Sequence, residues 1–299
     1  MCALLLLLSC VLPRAATAAD AAGSDFRAEV SEVQLEMVAT DAVGRPIPNL
    51  TATDLKVLED GSPVHNFGLN STRDVPLLAT LIYDTSESNQ KSWRKMQEPV
   101  IHFARSTIGK QDHLWIAAFD SKLQFNREIQ TPEQIPAALN ARRGTFNATA
   151  FNDALVQALR DFPSPSMAPR RGAMIVFSDG EDNYSIHSFE DVVSAAQRAK
   201  VSVYTVHRAT NLKWQDGELI LHTIAVRTGG RDFSFHNLHE LEADLNTIAE
   251  ELRSGYVLYY PARPSRMGNE LRRINVHPSH ASNMRIQVQN AYYVPSTEP

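Results

Sequence analysis

The sequence predicts an α/β fold: a doubly wound, mainly parallel sheet with a small β-sandwich-like domain formed from both termini. Three observations predict it. The middle of the chain alternates almost wholly apolar strands with amphipathic helical patterns, as a covered parallel sheet requires. Two of those strands run out into turns rich in Asp and Ser, at the edge where open α/β sheets bind ligands. Both ends of the chain instead alternate apolar and polar residues, the mark of strands with one solvated face. The expected division is a signal peptide over residues 1–19, the N-terminal part of an accessory β-domain over 20–74, the α/β domain over 75–253, and the C-terminal part of the accessory domain over 254–299.

The first segment reads as an export signal. Met1 to Leu12 is mostly apolar, and Ala16-Thr17-Ala18 has the small-x-small form of a cleavage site. It is too short for a membrane span. Both cysteines, Cys2 and Cys10, lie inside it, so cleavage leaves a mature chain without thiols, suited to an oxidising compartment. Leu8-Ser9-Cys10 offers a lipoprotein cleavage site as the alternative. The expected location is therefore exported: periplasmic, cell-surface or secreted, with no integral span in the mature chain.

Val33, Leu35, Met37 and Ala39 then alternate as a half-buried strand, and Asp60-Gly61 marks a hairpin turn. Val75 to Tyr83 is a strand buried on both faces. Trp93, Met96, Val100 and Phe103 share a helical face, and Leu114 to Phe119 is the next strand. Phe151, Ala154, Leu155, Ala158 and Leu159 line a helix, and Ala173 to Phe177 a second buried strand. Ser188 to Asp191 has the form of a capping box before another helix, followed by a strand over 201–206. Leu238, Leu241, Leu245, Ile248 and Leu252 line the last helix. Ile274, Val276, Met284, Ile286 and Val288 alternate again. Neither end has enough apolar residues for a core of its own, so the two are expected to share one.

Composition narrows the function classes. With 43% hydrophobic and 21% charged residues over 299, the chain is an ordinary globular one. Its net charge of -5 argues against a general nucleic-acid binder, whose footprint is basic. Asn-x-Ser/Thr triplets stand at Asn49, Asn70, Asn147 and Asn183; a glycan on Asn147 would crowd Thr149, which fits bacterial export better than glycosylation. The His236/His239 pair and the Arg142-Arg143 and Arg170-Arg171 pairs read as solvated charge.

The chemistry concentrates in three places. Asp84-Thr85-Ser86-Glu87-Ser88 follows the first buried strand, Asn147-Ala148-Thr149 precedes a helix, and Ser178-Asp179-Gly180-Glu181-Asp182 follows the second buried strand. Oxygen side chains at alternate positions of a tight turn suit a hard cation such as Mg²⁺. Taken alone, Asp and Ser in such a turn are more often turn and N-cap residues than metal ligands. In this order, the three segments together resemble the metal-ion-dependent adhesion site of von Willebrand factor type A (vWA) domains. The flanks resemble a bacterial exported "VWFA-related" family, through Val43-Gly44-Arg45-Pro46, Asp54 to Gly61 and Tyr256 to Tyr260.

That resemblance implies a vWA-type sheet and a metal site of Asp84, Ser86, Ser88, Thr149 and Asp179. Ser86 and Ser88 would ligate Mg²⁺ or Mn²⁺ directly, Thr149 in the ligand-bound state, and Asp84 and Asp179 through water. The implied function is an exported adhesion module engaging a protein that presents an acidic residue. The sequence departs from the family pattern at Glu87, Asn89 and Asn147-Ala148, and Gly144-Thr145 is a rival position for the threonine. Two alternatives stand beside this reading. One is a scaffold with a weakened or lost metal site. The other is a phosphoryl-transfer enzyme with Asp84 as nucleophile, although Ser86 occupies the position where such chemistry uses a second carboxylate.

Overall fold

A computed structural model describes residues 32–140, 148–163, 171–209, 216–263 and 270–294, without the side chains of Ser88, Gln90 and Lys91. The expected signal peptide, Gly144-Thr145, Arg142-Arg143, Asn147 and Arg170 lie outside the described residues. The described residues open with β1 (Glu32–Thr40), β2 (Leu55–Glu59), β3 (Ser62–Val64) and β4 (Gly68–Ser71). Then come β5 (Leu77–Asp84), α1 (Glu87–Thr107), β6 (His113–Phe119), β7 (Leu123–Ile129), α2 (Gln134–Leu139) and α3 (Phe151–Arg160). The α/β part continues through β8 (Arg171–Phe177), α4 (Phe189–Ala199), β9 (Val201–Arg208), α5 (Asp216–Arg227), β10 (Asp232–Phe235) and α6 (Leu238–Arg253). The end comprises β11 (Tyr256–Pro261), β12 (Leu271–Pro278), β13 (Arg285–Val288) and β14 (Ala291–Tyr293).

The central sheet has the order β10-β9-β8-β5-β6-β7, parallel except for the β6–β7 hairpin at one edge. Both faces are covered because alternate residues of each strand feed separate cores. Leu77, Leu81 and Tyr83 of β5 join Trp93 and Val100 of α1 and Leu241 and Ile248 of α6. Leu78 and Ile82 join the apolar faces of α3, α4 and α5 on the other side. Strand order reverses at β5: the chain moves from it to β6 on one side and later returns to β8 on the other. The crevice beyond the carboxyl ends of β5 and β8 is thus the topological switch point, where ligands of such sheets bind.

The termini form two further antiparallel sheets, β13-β1-β11-β4 and β14-β12-β2-β3. Each mixes strands from both ends of the chain, and their buried residues make a single cluster that includes Leu35, Met37, Leu55, Val57, Leu258, Tyr260, Ile274 and Tyr292. Asp60 and Gly61, at φ 48° and 78°, make the tight β2–β3 turn that a right-twisted hairpin favours.

Three details depart from expectation. Arg171 is buried, not solvated: its guanidinium lies 3.5 Å from Glu36 and donates to the Leu252 carbonyl, tying β8 to β1 and to the end of α6. Leu238 is 42% exposed because it stands in the first turn of α6, beyond the core. The edge strand β7 was not foreseen, since LQFNREI is half-buried at every position but the exposed Arg127 and lacks alternation.

Candidate metal centre

Asp84 ends β5 and is buried; at the switch point its carboxylate is met by donors from two sides. The Ser86 N–H donates to Oδ1 at 2.8 Å, and Asn89 Nδ2 and Ser178 Oγ donate to Oδ2 at 3.0 and 2.8 Å. Ser86 occupies the N-cap position of α1, yet its hydroxyl makes no cap bond and turns to Asp84. Burial is the largest influence on Asp84 and raises its pKa to about 7, with the nearby Asp179 charge adding to the rise and the bonds from Ser86 and Ser178 opposing it. No Lys, Arg or His forms an ion pair with Asp84 among the described residues.

Asp179 follows β8 and is half-buried; its Oδ1 accepts from the Glu181 N–H at 3.2 Å. The turn that holds it needs Gly180, whose φ is +75° and whose missing Cβ would lie 2.5 Å from the Gly217 carbonyl of α5. Thr149 is buried just before α3. Its N–H donates to Asn183 Oδ1 at 2.8 Å, and its carbonyl accepts from the Asn183 and Tyr184 N–H groups at 3.0 and 3.1 Å. Ala150 then donates to the Asp120 carbonyl at 2.8 Å, and Thr85 binds the Phe119 carbonyl through both its N–H and its hydroxyl, each at 2.8 Å. Hydrogen bonds thus join the Asp84 turn to the end of β6, the end of β6 to the Thr149 segment, and that segment to the loop after β8. Ser88 stands in the first turn of α1; its side chain lies outside the described residues.

A family model for the von Willebrand factor type A domain matches residues 80–258, which include Asp84, Thr149 and Asp179. The chain belongs to that family. No curated protein matches it. Among solved structures it is similar to proximal thread matrix protein 1 from the mussel byssus, at 14% identity and a TM-score of 0.49, covering 71% of this chain and 51% of that one. This chain therefore spans about half the length of the mussel protein. It is also similar to the conserved hypothetical protein BatB from Bacteroides thetaiotaomicron (17% identity, TM-score 0.47, 60% of this chain and 100% of that one). A third is the pilus adhesin SpaC from Lactobacillus rhamnosus GG, at 10% identity and TM-score 0.47, covering 81% and 48%. At such identities no function passes from these proteins to this chain.

The residues of this type A domain fit a divalent cation. A buried carboxylate with a second carboxylate nearby and no basic partner is an electrostatic arrangement that a cation relieves. The remaining donors are hydroxyls, so among the described residues no group of three or more His, Cys, Asp or Glu is placed to hold a metal. A cavity of about 20 Å³, enough for one water, lies beside Asp84 and is lined by Asn89, Trp93, Ser178, His207 and Arg208 among others. Sequence reasoning missed Ser178 and treated Asn89 only as a departure, yet both hold Asp84. The one signal for Ser178 is its place directly after a buried strand and next to Asp179, which turn and cap serines share.

Proposed function

We propose that the type A domain is a metal-dependent protein-binding module of an exported protein. Ser86, Ser88 and Thr149 would hold Mg²⁺ or Mn²⁺ through hydroxyls, with Asp84 and Asp179 supplying the charge. The observation that carries this reading is the buried Asp84 carboxylate at the switch point, with the Asp179 charge nearby and no basic partner among the described residues. When bound, the cation supplies an under-neutralised positive charge with a position open to a partner's Asp or Glu. The chain's own residues do the rest. Asn89 and Ser178 fix the Asp84 carboxylate, and Thr149 is fixed by the backbone bonds to residues 183 and 184. Glu87, exposed at the start of α1, is placed to compete with an incoming carboxylate. In this reading the protein is not an enzyme, and residues 20–74 and 254–299 form the accessory β-domain around the type A domain of 75–253.

Thermal unfolding tests it. A cation that binds only the folded state stabilises it by about 2.7 kcal/mol at 100-fold excess over its Kd. Mg²⁺ or Mn²⁺ should therefore raise the melting temperature, and Glu87→Gly should retain that rise. An unchanged melting temperature in both ions would sink the proposal.

A further inference from the structure

In the loop between β8 and α4, Asp182, Ser185 and His187 are half-buried, while the two large apolar side chains beside them face solvent. Tyr184 is 64% and Ile186 89% exposed. The inward bonds are numerous. Asp182 accepts from the Asn152, Tyr184 and Ser185 N–H groups at 2.8, 3.2 and 2.9 Å. Asp153 of α3 accepts from the Ile186 and His187 N–H groups at 3.1 and 2.9 Å and from the His187 ring at 2.7 Å. Ser185 Oγ accepts from the Asp153 N–H at 3.0 Å. A segment of irregular backbone is thus held to one shape from both sides.

Single exposed apolar residues are ordinary on a protein surface. Two on one short loop that hydrogen bonds from Asp153 and Asp182 hold in place are a different matter. Because the loop is already ordered, covering these side chains costs little conformational entropy. Its position supplies the occupant: the Tyr184 N–H is bonded to the Thr149 carbonyl, so the loop borders the candidate metal centre.

We infer that Tyr184 and Ile186 form the apolar half of the partner-binding surface. This rests on the metal-dependent reading above. The partner is a protein segment with an aliphatic or aromatic side chain within about three residues of its acidic one, a reach of ~10 Å in extended chain.

The test uses the full chain and immobilised nine-residue peptides with a central Glu or Asp. These carry either Leu and Phe or only Ser and Gly within three positions of the acid, and binding is measured in Mg²⁺. The apolar set should bind about ten-fold or more tightly than the polar set, as burial of one such side chain gives. The double variant Tyr184→Ser, Ile186→Ser should lose that preference while keeping the wild-type metal-induced rise in melting temperature. Equal binding of the two sets, or a preference that survives in the double variant, would overturn the inference and leave the metal reading standing. So would a patch that serves only self-association, seen as a wild-type dimer that the double variant abolishes, with no peptide bound. Loss of the metal-induced rise in the wild type itself would instead overturn the reading beneath it.

Discussion

Asp84 is the residue on which the chemistry turns, and its protonation gives a test that needs no partner. Its folded pKa of about 7 lies above the ordinary carboxylate value of 3.8. Between those values the folded chain binds a proton that the unfolded chain does not. Metal-free stability attributable to Asp84 should therefore fall as pH rises from about 4 to about 7 and then level off. Asp84→Asn should flatten that part of the profile, measured by denaturant unfolding in EDTA; an unaltered slope would show that Asp84 is not the group responsible. Ser178 donates to Asp84 and accepts from the Gly180 N–H at 3.1 Å. Ser178→Ala should cost about 1–2 kcal/mol of stability, because it leaves a buried acceptor short of a donor. Ser178 was hard to read in the sequence for the same reason that Ser86 and Ser88 were ambiguous. A serine after a strand serves turns and helix caps as readily as a buried carboxylate, and only the converging strand ends tell them apart.

The elements around the site divide into those the sequence announces and those it hides. β5 and β8 were legible because both faces of each strand are buried, which leaves long apolar runs. The capping box at Ser188 and Asp191 forms as the spacing predicted, with the Ser188 N–H donating to Asp191 at 2.8 Å. β7 was not legible: an edge strand half-buried at all but one position has no period to detect. Arg171 was misread because a charge at a strand start usually meets water, whereas here the fold brings Glu36 and the end of α6 over it. The loop before α4 is fixed mainly by Asp153 and Asp182, whose roles emerge only once α3 is packed beside it. Asp153→Ala should therefore loosen that loop. It should lower stability by about 1–3 kcal/mol and speed hydrogen exchange at the Ile186 and His187 amides, leaving β5 and β8 amides protected. Unchanged exchange at those two amides would mean that the loop is held by other contacts.

At the scale of the whole molecule, the two termini depend on each other and on the central sheet. β11 pairs with β1 and β4, and β12 pairs with β2, so removal of the chain after Arg253 strips partners from the N-terminal strands. Glu36 on β1 accepts from the Gly172 N–H at 2.9 Å as well as lying beside Arg171, which joins the accessory sheets to the strand that ends at the candidate metal centre. Arg171→Met should destabilise the chain by about 2–3 kcal/mol, because it leaves the half-buried Glu36 without its charged partner; denaturant unfolding checks this, and a loss below about 1 kcal/mol would show the pair to be incidental. This mutual dependence follows from the shared alternating pattern at both ends, the feature that made the architecture readable. Which residues meet across the sheets was not readable, since register depends on turns and partners far apart in the chain. The central claim is that one divalent cation is held where the Asp84 turn, the Thr149 segment and the loop after β8 converge. Titration with Mn²⁺ followed by electron paramagnetic resonance tests it most directly. The account predicts one saturable site per wild-type chain and none in Asp84→Ala, with the circular dichroism of the two chains the same; equal Mn²⁺ binding by both would contradict it.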